Sequence, residues 1–248
     1  MRPLSAVIIA RDEESKIGAA VASALPWVSE VLVLDGGSTD GTVGQAKAAG
    51  ARVVHHPFDG FVSQKRRAVA LAAHDHVVIV DSDERIGPRL GASILRVRRD
   101  WPAETGGFRV HRWNYLDGAA VRGAGWGADR PVRVFDRRTG EVAGVDPHDR
   151  VEVEGFAPVL PGVLHHDPDR STRAYVRATV SHARRASESI ARAGRPGPAA
   201  PWLHAAAHFA RKVVLGGAPL QGRRGMTVAW VGAKGVARKY RLARRLPR

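Results

Sequence analysis

The stretch VVIVDSDERI, residues 77 to 86, runs four apolar residues directly into Asp81, Ser82, Asp83 and Glu84. Four consecutive Val and Ile residues predict a strand buried on both faces, the kind found in parallel sheets covered by helices. Three carboxylates within four residues at its end repel one another unless cations or hydrogen-bond donors lie close by. Such a run is either a solvated turn or a binding site, and its place after a fully apolar strand favours a site.

The same grammar recurs upstream. LSAVIIA (4–10), EVLVLDG (30–36) and ARVVHH (51–56) are short Val- and Ile-rich runs bounded by polar residues or glycine. Between them EESKIGAAVASAL, STDGTVGQAKAAG and GFVSQKRRAVALAA carry apolar residues at helical spacing, with Ser38 or Thr39 placed to cap the second. Strand, helix, strand, helix predicts a doubly wound α/β sheet. After about residue 105 the pattern changes. GGFRVHRWNYL and VRVFDRRTGEVAG read as antiparallel strands, the second turning at Thr139-Gly140, and RVEVEGFAPVLPGVLHH adds another extended piece.

Ligands of open α/β sheets bind outside the carboxyl ends of the strands. Asp12, Glu13 and Glu14, the run Asp35 to Asp40, and Asp81 to Glu84 therefore face one crevice. A hard divalent ion relieves their repulsion, since Mg²⁺ or Mn²⁺ takes one or two carboxylates together with substrate phosphates. DGGSTDGT (35–42) lets backbone approach a ligand closely and sets an Asp to accept hydrogen bonds from a base or ribose. It is neither a P-loop nor a GxGxxG, and by itself it reads as a capped helix start.

Composition narrows the chemistry. The chain has 248 residues and no cysteine, which excludes disulfides, thiolate metal sites and cysteine nucleophiles. The N-terminal apolar run meets Arg11 early and no signal peptide is expected; no apolar stretch is long enough to span a membrane as a helix. Of the 39 basic and 24 acidic residues, 13 basic and no acidic ones follow Glu188, leaving a net charge of +2 before it out of a total of +15. A nearly neutral body thus carries a basic tail. In that tail, residues 203–215 and 226–242 read as helices. Apolar residues at 226, 229, 230, 233, 236, 237 and 240 fall on one face with Lys and Arg opposite, the pattern of a helix in a membrane interface, although Gly232 and Gly235 weaken the second helix.

LSAVIIARDEE, VLVLDGGSTDGT, DGFVSQKRRAVALA and VIVDSDE, in this order and spacing, resemble the nucleotide-binding half of family 2 glycosyltransferases. GFRVHRWNYLDG, GWGADRPVRVFDRRTG and DPHDRVEVEG are similar to the branch containing lipopolysaccharide core β-glucosyltransferases. The resemblance implies a GT-A, Rossmann-like open mixed sheet with helices on both faces, followed by a C-terminal helical basic extension. It implies a metal-dependent inverting transfer from a nucleotide-diphosphate sugar, a UDP-sugar first, to a lipid-linked or cell-envelope glycan. By this resemblance Asp35 reads the base, Asp12 and Glu13 form the acidic end of the first strand, and Lys65 follows Gln64 near the nucleotide. Asp81 and Asp83 match the DxD acids, with Asp83 on the metal and Asp81 nearer the ribose. His148 matches a late histidine that reaches the metal or diphosphate. Asp129 matches the catalytic base, and Arg130 and Arg133 would face the leaving diphosphate. Arg66 stands where the branch usually has Asn, and Asp149 where it has Glu.

Asp129 has an alternative as a loop residue paired with Arg130. The pair His55-His56 reads as surface, His165-His166 before Asp167 is more suggestive but is not assigned to the site, and Trp113, Tyr115 and Trp126 flank the acceptor side unless they are core. Residues 1–191 are expected to form the transferase domain, with a nucleotide half to about 104 and an acceptor half to 191. Residues 192–201 are expected as a linker and 202–248 as the basic extension. The expected partners are donor, acceptor glycan and an anionic membrane surface, placing the protein in the cytoplasm against the inner face of the cytoplasmic membrane. Nucleic acid is not expected, since the tail's apolar face would have no use there. Two other readings are a sugar nucleotidyltransferase, whose Gly-rich basic loop IIARDEE lacks, and a non-catalytic membrane or nucleic-acid-binding adaptor.

Overall fold

The structure is a computed structural model. It describes every residue except Ala128, Pro147, Arg195, Pro198, Pro247 and Arg248, and the side chains of His148 and Ala193. The chain forms two compact units, Met1–Arg112 with Asp129–His166, and Trp113–Ala128 with Asp167–Arg248.

In the first unit, β1 (Leu4–Ala10), β2 (Glu30–Asp35), β3 (Arg52–His55) and β4 (His76–Ile79) alternate with α1 (Glu14–Ala24), α2 (Thr42–Ala48) and α3 (Phe61–Leu71). The four strands are parallel, in the order β3-β2-β1-β4, with Ala10 level with Asp35 at the carboxyl edge. Strand periodicity assigns the faces. Leu4, Ala6, Ile8, Val31, Val33, Val78 and Val80 pack on one side with Ile17, Ala20 and Val21 of α1 and Ala46 of α2. Val7, Leu32, Leu34, Val77 and Ile79 pack on the other with Val62, Ala68 and Val69 of α3. Each Val, Leu or Ile among them, once buried, contributes about 1.5–3 kcal/mol. The double covering is why these strands are apolar at nearly every position.

Beyond β4 the sheet becomes mixed. After β5 (Glu84–Ile86) and α4 (Pro88–Arg99) come β6 (Gly107–Leu116), the short β7 (Ala119–Ala120), β8 (Val132–Asp136), β9 (Gly140–Val145), β10 (His148–Val153) and β11 (Val159–His166). The order continues β4-β8-β6-β11-β5, with β8 antiparallel to both β4 and β6. The expected open mixed sheet with helices on both faces is therefore present. The chain does turn after β8, where the Thr139 amide donates to the Asp136 carbonyl at 3.1 Å. It does not fold back on β8, whose two edges are already taken by β4 and β6; instead β9 pairs with β10 as a separate ribbon. The expected cap also differs. The α2 helix starts at Thr42 behind Gly41, and Ser38 and Thr39 bind the loop after β1 instead.

The second unit contains α5 (Thr172–Ala193), α6 (Ala200–Val214) and α7 (Gly222–Arg245). Ser171 caps α5 by accepting from the Ala174 amide at 3.1 Å. Among the described residues, no helix is long and apolar enough to cross a membrane. A boundary was expected after residue 191; α5 packs along α7 and groups with it in the second compact unit. The Gly/Pro-rich stretch 192–201 is thus a connection inside one helical unit. The α7 helix runs unbroken through Gly232 and Gly235. A methyl group on Gly232 would meet His208 of α6, and one on Gly235 would meet Thr179 of α5, so the glycines permit close packing. Ala229, Ala233 and Ala237, part of the expected membrane-facing stripe, are buried in this unit, whereas Trp230 is exposed.

Candidate active site

The loops that follow β1 and β2 are bound to each other. Asp12, in the left-handed region with φ 55°, donates its amide to Ser38 Oγ at 3.0 Å, and its Oδ1 accepts from the Thr39 amide at 2.8 Å. The Glu13 amide donates to Thr42 Oγ1 at 2.7 Å. A Cβ on Gly36 would lie 3.3 Å from the Ala10 carbonyl oxygen, closer than ordinary contact, and Gly37 has φ 91°. These glycines let the chain turn tightly over Asp35, which is buried and accepts from the Gly37 and Ser38 amides at 3.1 and 3.2 Å. His55 Nδ1 lies 3.0 Å from Asp35 Oδ2, the oxygen that also accepts from the Gly37 amide. Burial pushes the Asp35 carboxyl up, but the bonds from Ser38, His55 and Gly37 outweigh it and hold it below its ordinary value.

At the end of β4 the acidic run is met by side-chain cations. Lys65 of α3, almost fully buried, reaches Asp81 Oδ1 and Asp149 Oδ2, each at 2.8 Å. Arg133 of β8 bridges Asp81 Oδ2 and Glu84 Oε1, also at 2.8 Å each. Arg112 of β6 lies 3.3 Å from Glu84 Oε1 and donates through Nε to Asp129 Oδ2 at 2.7 Å. A continuous alternation of charge therefore runs Asp149, Lys65, Asp81, Arg133, Glu84, Arg112, Asp129. Burial opposes the Asp81 charge, yet Arg133 and Lys65 more than offset it and hold its carboxyl far below the ordinary range. Glu84 is pushed up by burial above all, with Arg133 pulling the other way and Asp81 adding to the rise.

Asp83 stands apart from this chain. Its Oδ2 lies 3.4 Å from His166 Nε2 at the end of β11. Burial pushes its carboxyl up, but the hydrogen bond and charge of His166 outweigh that and the net shift is downward. An oxygen and a nitrogen donor side by side suit Mg²⁺ or Mn²⁺, ions that take few protein ligands and complete their shell with water and phosphate oxygens. Asp81 is already engaged by two cations. Among the described residues no group of three or more acidic or histidine side chains is arranged to hold a metal; Asp83 and His166 are two side chains of ligand type that lie together at this edge.

The structure brings together Lys65, Asp81, Arg133 and Asp149, links Asp129 to them through Arg112, and sets Asp12, Glu13 and Asp35 at the same carboxyl edge of the sheet. Arg133, expected to face the leaving diphosphate, is 5% exposed and pairs with Asp81 and Glu84. Asp129 pairs with Arg112 rather than with Arg130, which is exposed. The side chain of His148 lies outside the described residues; its backbone pairs with Val145 in the ribbon. Glu84, Arg112, His166 and His55 had not been assigned roles. Glu84 belongs to the acidic run, and His166 follows another histidine, but nothing local to Arg112 marks it. Trp126 packs edge-on to Tyr175, 5.0 Å between centroids, in the core of the second unit, while Trp113 is covered by Arg122 at 4.3 Å.

An open mixed sheet whose parallel half ends in Asp35, Asp81 and Asp83 has the GT-A arrangement. Residues 5–119 match the family described as Glycosyl transferase family 2. An uncharacterized glycosyltransferase of Rickettsia typhi is 39% identical over 90 residues, covering 36% of this chain and 31% of that protein. The lipopolysaccharide core biosynthesis glycosyltransferase LpsC of Rhizobium meliloti is 34% identical over 121 residues, covering 47% of this chain and 44% of LpsC. A crystal structure of glucosyl-3-phosphoglycerate synthase from Mycobacterium tuberculosis, in complex with Mn²⁺, UDP and glucosyl-3-phosphoglycerate, is 31% identical, covering 46% of this chain and 44% of that one with a TM-score of 0.38. The chain spans about a third of the length of the first curated relatives it matches.

Proposed function

We propose that this protein transfers a sugar with inversion from a nucleotide-diphosphate donor, of the uridine type, to a lipid-linked or cell-envelope glycan such as the lipopolysaccharide core. It would work as a peripheral protein at the inner face of the cytoplasmic membrane. The observation that carries the reading is the Asp83 and His166 pair, 3.4 Å apart at the carboxyl edge of the sheet, in a chain whose residues 5–119 match the glycosyltransferase 2 family. The name of LpsC supports the acceptor class.

A divalent ion held by Asp83 and His166 would neutralise charge on the departing diphosphate. The protein's own residues supply the rest. Asp35, held in place by the Gly37 and Ser38 amides and by His55, is the acid that would read the base. Asp12 and Glu13 bound the donor side. Lys65 and Arg133 hold Asp81 in one orientation, and exposed Arg130 is the arginine left to meet the diphosphate. In the transfer, the acceptor oxygen bonds to the anomeric carbon as the bond from that carbon to the diphosphate oxygen breaks. The diphosphate leaves with the bonding pair, and the acceptor hydroxyl proton passes to Asp129. Arg112, bonded to one Asp129 oxygen, positions the carboxylate for this step.

Asp129→Asn keeps size and hydrogen bonding but cannot take the proton. Turnover should fall by roughly 10²-fold or more, with donor affinity nearly unchanged. Steady-state kinetics beside UDP titration checks this, and a variant with full turnover would move the base to Asp149.

A further inference from the structure

The helical unit holds a feature that the transfer chemistry leaves unused. Between α6 and α7 lies a cleft of about 280 Å³ lined by His204, His208, Arg211, Lys239 and Tyr240. His204 and Tyr240 stack face to face, 4.3 Å between centroids and 4° from parallel, and form one wall. Lys239 lies over the same tyrosine ring at 5.4 Å. No acidic residue occurs in residues 189–248, so neither α6 nor α7 supplies a carboxylate side chain to balance these cations. His208 Nε2 is buried without a hydrogen-bond partner. Burial, followed by Lys212, Arg211 and Lys239, holds the His208 ring below its ordinary value, as expected where positive charge accumulates uncompensated.

The cleft opens beside an apolar surface. Trp202, Leu203, Ala206, Ala207, Ala210 and Val214 are all exposed on α6, at spacings of three and four that place them along one side of the helix. Leu215 and Leu220, 81% and 87% exposed, continue the strip through the turn into α7. Ala207 belongs to both features, lining the cleft and lying within the strip.

We propose that the α6/α7 cleft binds the phosphate headgroup of an anionic membrane lipid while the exposed strip of α6 lies in the acyl boundary. Arg and Lys suit a phosphate, and a cleft of this volume, just under the range of about 300–1,000 Å³ for drug-sized ligands, admits a headgroup but not a whole lipid. Basic groups beside exposed Leu, Val and Trp match an anionic bilayer in both charge and polarity. Duplex nucleic acid would use the cations and leave the apolar strip in water. The inference rests on the membrane-surface part of the proposed function and not on the transfer chemistry.

Binding of the full chain to vesicles of phosphatidylcholine, with and without phosphatidylglycerol, tests it by sedimentation. Arg211→Ser with Lys239→Ser should weaken binding to the anionic vesicles by about 30-fold, the loss expected for two basic residues at an anionic surface. Arg223→Ser with Lys234→Ser removes the same charge away from the cleft and should cost at least threefold less. Leu203→Ser with Val214→Ser should weaken binding even at low salt. Equal losses from the two charge pairs would overturn the cleft as a site. So would saturable binding of glycerol phosphate, followed by the His204 and His208 imidazole resonances, without vesicle association, or a shift of duplex DNA at matched salt without it. UDP-dependent thermal stabilisation of every variant serves as the control for folding and for the other unit. Its absence in all forms, with the vesicle pattern intact, removes the transferase reading and leaves the lipid site standing.

Discussion

Asp81 and Asp83 are two residues apart and face opposite demands. Asp81 has its charge balanced by Lys65 and Arg133, each 2.8 Å away, and is a fixed part of the scaffold. Asp83 lies 3.4 Å from the imidazole of His166 at the end of β11. Asp83→Ala should therefore abolish Mn²⁺-dependent stabilisation by UDP while the protein remains folded, and His166→Ala should weaken it by about 10- to 100-fold. Thermal shift with UDP, with and without Mn²⁺, decides this. Full metal-dependent stabilisation in both variants would transfer the role to other side chains. Asp81, Asp83 and Lys65 were legible because their motifs are local. His166 was not, because its place comes from antiparallel pairing of β11 with β5, in which His166 stands opposite Glu84 across more than 80 residues of chain. Arg112 was hidden for the same reason, as only the order of β6 and β8 brings it between Glu84 and Asp129.

The parallel strands were legible because burial on both faces demands unbroken Val, Ile and Leu, and no other element of this length shows that pattern. The pairing of β9 was not, since a turn signal marks where a chain reverses and says nothing about which edges are vacant. Glycines in α7 misled in a related way. Propensity counts Gly235 as a loss of about 1 kcal/mol relative to Ala, yet it is the point where α7 passes Thr179 of α5. Thr179 cannot rotate away without losing its bond to the Tyr175 carbonyl at 2.9 Å. Gly235→Ala should thus destabilise the protein by about 1–3 kcal/mol in spite of the better helix former. A urea melt reads the sign directly, and a stabilised variant would mean that α5 and α7 do not approach this closely.

Charge asymmetry along the chain marked a basic C-terminal region, and the break at residues 192–201 lies within the compact unit that α5, α6 and α7 form. Long helices join a unit by their packing faces, and α5 shares its face with α7 despite the Gly- and Pro-rich stretch between them. Two units with different ligands should respond separately, and hydrogen exchange on the full chain can resolve them, because amides slow where a ligand stabilises the structure locally. UDP with Mn²⁺ should protect the strand ends and loops at 10–14, 35–42 and 81–84, together with the end of β11 around His166. Anionic vesicles should instead protect α6 and the turn that carries Leu215 and Leu220, with little change at Asp35 or Asp83. The two patterns should add when both ligands are present. Nucleotide protection centred on residues 202–246, or vesicle protection centred on the carboxyl edge of the sheet, would assign the two ligands to the opposite units and overturn the division of labour argued from Asp83, His166 and the α6 strip.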